Sequence, residues 1–108
     1  MIQRERLAKD FDSMAQFTGP GEGINRLAFT DADWAGRQYI IDRMIDAGLT
    51  VETDGFGNVI GYKLGKNPEL PVVMVGSHTD SVPNGGNYDG VVGVLSAIEV
   101  IRSMTDDS

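Results

Sequence analysis

The feature that most constrains this chain is an apolar run, Val72-Val73-Met74-Val75, that leads into a polar loop and then into an apolar helix. A strand apolar on both faces is expected where helices cover a sheet from either side. Residues 91–104 are apolar nearly all round and include Gly93, Ser96 and Ala97, the composition of a buried helix packed closely on a sheet. Residues 76–90 join the two. In open α/β sheets, ligands bind where loops leave the carboxyl ends of strands. The expectation is an α/β domain with its chemistry in that loop.

The rest of the chain supplies the surrounding elements. Leu7, Phe11 and Met14 recur at helical spacing, predicting a helix over 1–18 that ends at Thr18-Gly19-Pro20-Gly21-Glu22-Gly23. Thr30 is a good N-cap for a second helix, with Asp31 and Asp33 in its first turn and Gly48 at C′. Its expected buried stripe is Trp34, Ile41, Met44 and Ile45, with Ile40 at one edge. Leu49, Val51 and Thr53 then alternate with polar residues, Asp54-Gly55-Phe56-Gly57-Asn58 is turn chemistry, and residues 59–64 resume as a strand. The order is α, α, β, β, β, α: helices packed on a partly completed mixed sheet. So apolar a last helix calls for partners that 108 residues do not supply, and the domain reads as unfinished.

Charge narrows the function. Nine Lys and Arg against 16 Asp and Glu give a net charge of −7, with no basic cluster to neutralise nucleic-acid phosphates or dock on an anionic membrane. The apolar runs are far too short to span a bilayer. Arg4, Arg6 and Lys9 precede no apolar stretch of the signal-peptide kind, so a cytoplasmic location is expected. The absence of cysteine excludes disulfides, Cys-ligated zinc and a thiol nucleophile. What remains is a soluble, acidic, single α/β-type domain.

The chain's single histidine, His78, lies at the carboxyl end of the apolar run. If the backbone stays extended through Asp80, positions 78 and 80 project to one side. Asp80 would then accept from His78 Nδ1–H, leaving Nε2 for a metal. Asp89 is a second carboxylate that the intervening glycines could fold back toward the same point. Imidazole and carboxylate without sulfur suit zinc, manganese, cobalt or nickel. Each residue also has a plain structural reading: His78 as a hydrogen-bonded structural residue, Asp89 as a helix N-cap, Gly85-Gly86 as a turn. Their combination within one loop favours a site. Ser77, His78 and Asp80 are too close in sequence to form a catalytic triad. No Gly-x-Ser-x-Gly elbow, P-loop or dinucleotide fingerprint is present, and nothing marks a glycosidase carboxylate pair.

Three segments, in order, resemble M20-type metallohydrolases of the hydantoinase/carbamoylase branch. They are Gly23-Ile24-Asn25-Arg26-Leu27-Ala28-Phe29-Thr30, the turn Asp54-Gly55-Phe56-Gly57-Asn58, and Gly76-Ser77-His78-Thr79-Asp80-Ser81 followed by Asn84-Gly85-Gly86-Asn87-Tyr88-Asp89-Gly90. That branch includes N-carbamoyl-L-amino-acid hydrolases and allantoate amidohydrolases. The resemblance implies that His78 ligates one metal of a two-metal site, that Asp89 bridges both metals, and that Asp80 orients His78. It implies hydrolysis of an amide or ureido carbonyl by a metal-activated water. It also implies that residues 1–108 are the N-terminal part of a catalytic domain. The general-base glutamate, further ligands and a lid and dimerisation domain would then lie downstream, with the parent a homodimer. Glu99 sits too far along the last helix to serve as that base. Two expectations follow: a piece of an amidohydrolase, inactive alone, or a non-catalytic module with weak metal affinity that self-associates or domain-swaps through uncovered sheet edges.

Overall fold

The computed structural model describes residues 1–107. Three helices, α1 (Arg4–Ala15), α2 (Asp31–Asp46) and α3 (Val91–Asp106), accompany a two-stranded antiparallel sheet of β1 (Thr50–Thr53) and β2 (Val59–Tyr62). The α/β character expected from the sequence is present.

Helix α2 is defined at its start by two side-chain-to-backbone bonds. Thr30 Oγ1 accepts from Asp33 N at 3.4 Å, while Asp33 Oδ2 accepts from Phe29 N at 2.8 Å. Gly48 follows the helix at φ +91°, as its expected C′ role requires. In the hairpin, Thr50 pairs with Tyr62 and Thr53 with Val59. Its turn is built on Asp54, whose carboxylate accepts from the backbone N–H groups of Phe56, Gly57 and Asn58. Those bonds and one from the Asn58 side chain favour the charged form and lower the Asp54 pKa.

The core joins all three helices through Met14, Ile40, Ala47, Val91, Leu95 and Ile98, with Leu7, Phe11, Tyr39 and Met44 at its margin. The buried stripe of α2 is rotated from the expected one. It runs through Asp33, Gly36 and Ile40, while Trp34 and Ile45 are more than half exposed. Polar Asp33 can be buried because its carboxylate is satisfied, and Gly36 because its missing side chain leaves room for Arg26. Hydrophobicity alone points to the wrong face.

Residues 72–75 differ more. They form no ladder, and Val73 is 98% exposed. The molecule is only 18 Å thin along its shortest axis, room for about two layers of elements roughly 10 Å thick. Helix α3 likewise buries one face and leaves Val92, Val100 and Met104 outside.

An ion network fastens α1 to α3. Glu99, 1% exposed, accepts from Arg6 Nε at 2.8 Å, Arg6 Nη2 at 2.7 Å and Gln3 N at 3.0 Å. Nearby, Asp10 accepts from Arg102 Nη1 at 2.5 Å and Tyr39 O–H at 2.6 Å. The bonds from Arg6 hold the Glu99 pKa down to about 2, against the opposing effect of burial. A depressed carboxylate pKa stabilises the fold above the unfolded-state value and loses that contribution as pH falls through the folded value. Stability should therefore fall between about pH 4.5 and 2. Glu99→Gln should flatten that dependence in urea titrations across the window. Glu99→Ala should cost roughly 1–2 kcal/mol at neutral pH, because Gln3 N and the partly exposed Arg6 lose their acceptor.

Candidate metal centre

The loop between residues 76 and 90 is held from two directions. On one side is the segment that follows α1. Ile24 and Gly85 exchange backbone hydrogen bonds at 2.9 and 2.8 Å, Ser81 N donates to Arg26 O at 2.7 Å, and Arg26 N donates to Ser81 Oγ at 2.9 Å. On the other side is α3, whose first turn packs against residues 77 and 78. Ser77 Oγ donates to Gly90 O at 2.8 Å. Gly90 has φ +73°, and a Cβ there would stand 2.5 Å from both Nδ1 and the carbonyl oxygen of His78. The close approach of His78 to the helix start thus requires glycine.

Within this frame His78, Asp80 and Asp89 come together. His78 Nδ1 lies 3.2 Å from Asp80 Oδ1 and 3.1 Å from the Asp80 carbonyl oxygen. Both neighbours are acceptors, so the network selects the Nδ1–H tautomer and leaves the Nε2 lone pair free. Nε2 faces Asp89 Oδ2 at 3.7 Å. The imidazole is half exposed and the Asp89 side chain 80% exposed, so the pair opens to solvent. Asp89 is not a capping residue. The N-cap of α3 is Gly90, and no side chain caps the helix.

Two ligands bound tetrahedrally to one zinc-sized ion stand roughly 3.3 Å apart, so the spacing of Nε2 and Oδ2 needs only a small adjustment. His78 and Asp89 fit part of a divalent cation's donor set. Among the described residues, no group of three His, Cys, Asp or Glu side chains is placed to hold a metal. Glu99 is committed elsewhere, to Arg6 and Gln3.

An N-carbamoyl-L-amino-acid amidohydrolase from Paenarthrobacter aurescens is 43% identical over 105 residues, 97% of this chain and 26% of the relative. A ureidoglycolate hydrolase from Arabidopsis thaliana is 45% identical over 97 residues, 89% of this chain and 20% of the relative. The crystal structure of a hydantoinase/carbamoylase family amidase from Burkholderia ambifaria matches with a TM-score of 0.92 at 39% identity, covering 98% of this chain and 26% of that one. The chain belongs to the hydantoinase/carbamoylase amidase family. No family model matches it. It spans about a quarter of the length of the curated N-carbamoyl-L-amino-acid amidohydrolases it matches. Among the described residues, no helix is long and apolar enough to cross a membrane.

Sequence reasoning missed the residue that organises this family member's loop. Arg26 is 2% exposed. Its Nε donates to Thr79 O at 2.7 Å, and its Nη1 donates to Met14 O at 2.9 Å and Phe17 O at 2.7 Å. Burial pulls its pKa below the ordinary arginine value, while the charges of Asp33 and Asp80 oppose that shift. Its one visible signal is a cation between Ile24 and Leu27 with no carboxylate beside it in sequence. Lysine cannot reproduce a planar fork donating in these directions. Arg26→Lys should cost about 2 kcal/mol. In hydrogen-exchange measurements it should speed exchange at Ser81 and Gly85 before the amides of α3 are affected.

Proposed function

We propose that this chain supplies His78 and Asp89 to the divalent-metal centre of an amidohydrolase. The enzyme would cleave a linear amide or ureido C–N bond in an N-carbamoyl amino acid or a related ureido acid. The observation that carries the reading is the opposition of His78 Nε2 to the Asp89 carboxylate, with Nδ1 occupied by Asp80. The names of the relatives, carbamoyl-amino-acid and ureidoglycolate hydrolases, support the substrate class.

In this reading His78 would ligate one ion of a pair, Asp89 would be the carboxylate shared by both, and Asp80 would hold the imidazole in its coordinating tautomer. When bound, zinc, manganese, cobalt or nickel would make water acidic enough to attack at neutral pH and would polarise the substrate carbonyl. The chain's own contribution is to fix two donors on a loop pinned to α3. The products would be ammonia, carbon dioxide and an amine-bearing acid. Residues 1–108 form part of the catalytic domain in this reading. The general base and remaining ligands, the lid and dimerisation domain, and the homodimer belong to the cytoplasmic parent. The 108-residue chain alone is inactive.

A second reading draws on a different observation, the exposed run at residues 72–75 beside an apolar face of α3. An extended segment with unpaired backbone and apolar side chains on both faces invites pairing with another copy. It makes the isolated chain a self-associating module with weak metal affinity.

The functional reading is tested by placing this sequence in the homologous quarter of a related carbamoylase. The chimera should hydrolyse N-carbamoyl-L-amino acids or ureidoglycolate. His78→Ala and Asp89→Ala should each lower kcat/KM on the order of 10³-fold or more, as loss of a metal ligand removes the activated water. Asp80→Asn should lose roughly 10- to 100-fold. A chimera indifferent to His78→Ala would overturn the assignment. For the isolated chain, sedimentation velocity should show concentration-dependent association that Val73→Lys suppresses.

A further inference from the structure

His78 belongs to an extended segment, and Asp89 immediately precedes α3. Ten residues separate them, in a loop rich in glycine and asparagine. Three observations place the segment on the helix. Ser77 Oγ donates to Gly90 O at 2.8 Å. Gly90 presents bare backbone to the ring and carbonyl of His78, where a Cβ would meet Nδ1 at 2.5 Å. Gly93, one turn further on, presents bare backbone to Ser77 itself, where a Cβ would stand 2.7 Å from Ser77 Cβ and 2.8 Å from Oγ.

We infer that Ser77 is a positioning residue that, seated against Gly90 and Gly93, sets the distance between the two metal-facing donors. This rests on the metal reading of His78 and Asp89 and adds a residue that touches neither the ion nor the substrate. The physical argument is one of lever arms. Asp80 fixes the rotation of the imidazole through Nδ1, but Asp80 travels with His78 on the same segment. It cannot fix where the ring lies relative to Asp89. The hydroxyl of Ser77 ties that segment to the helix from which Asp89 departs. The two glycines let the segment come close enough for the bond to form. A donor pair displaced by about 1 Å loses much of its metal affinity, since coordination distances tolerate only about 0.2 Å.

A single histidine makes this measurable by NMR. In the wild-type chain the Hε1 proton of His78 should show an Overhauser contact to Gly90 Hα. Added Zn²⁺ alone should perturb the imidazole signals. Ser77→Ala removes the tie with little change of volume, and Gly93→Ala pushes Ser77 away while keeping its hydroxyl. Each should weaken the Hε1–Gly90 contact and lower Zn²⁺ affinity on the order of tenfold. Helix content by circular dichroism and the Nδ1–H signature of His78 should be retained. In the chimera, the activity lost through Ser77→Ala should be recovered by raising the Zn²⁺ concentration at constant helix content, whereas a folding defect rescued by metal would show helix content rising with it. An unchanged Overhauser contact and unchanged Zn²⁺ affinity in both variants would overturn the inference. If the contact weakens as expected but Zn²⁺ leaves the wild-type imidazole unperturbed, the seat stands and the metal reading falls.

Discussion

The guanidinium of Arg26 is the contact on which the arrangement of the loops depends. Met14 and Phe17 contribute carbonyls from the end of α1, a place where backbone acceptors lack helical partners and the helix dipole is negative. Thr79 contributes a carbonyl from the segment next to His78. One planar cation therefore closes a helix terminus and anchors the loop of the candidate site at once. Burying that charge is costly, and the lowered pKa expresses the cost. Charge-assisted bonds to the carbonyls offset it, and Gly36 makes the volume for it. A Cβ at position 36 would lie 3.0 Å from Arg26 Cδ. The rotated stripe of α2 follows from this, since the helix must turn Gly36 toward the arginine.

From Arg26 the restraints pass outward in order. The backbone at Arg26 bonds to Ser81 in both directions, and the bridge between Ile24 and Gly85 continues the same edge. Asn25 Oδ1 accepts from Asn84 N at 2.8 Å and supports the turn where Asn84 takes φ +52°. These bonds hold the middle of the loop, and α3 holds its two ends through Ser77 and Gly90. Asp89 is left with an exposed carboxylate on a constrained backbone. A metal ligand benefits from that combination, because its main chain is fixed while its charge remains hydrated and available.

Much of this was legible in the sequence where local chemistry decides the outcome. The Thr30 cap, the Asp54 turn, the stripe through Leu7, Phe11 and Met14 and the same-side placement of positions 78 and 80 all follow from rules spanning a few residues. The misreadings share a different cause. Hydrophobicity alone places Trp34 and Ile45 in the core face of α2. The helix instead buries Asp33 and Gly36, whose partners, Phe29 N and Arg26, lie outside the helical period. The run at 72–75 has the composition of a sandwiched strand. Its composition states which environment suits it, but a ladder needs neighbouring strands. No spacing rule marks Arg26, because its acceptors are backbone carbonyls and carry no residue identity.

The uncovered run and the pair of His78 and Asp89 are linked by covalent continuity. Residues 72–75 feed directly into Gly76, Ser77 and His78, so any partner that pairs with the run also fixes the direction in which the chain enters the site. His78 is held from its carboxyl-terminal side, through Asp80, Thr79 and Ser81, and sideways through Ser77. It has no ladder on its amino-terminal side. Completing the ladder would reduce the motion of the imidazole and raise metal affinity. By reciprocity, a metal bridging His78 and Asp89 would favour the conformation of the run that a partner strand accepts. In the metal reading proposed above, pairing of residues 72–75 with a further strand and binding of a metal would then favour the same conformation of His78. Only Gly76 and Ser77 separate this apolar run from the single imidazole of the chain, so order in the one is passed to the other through three peptide bonds.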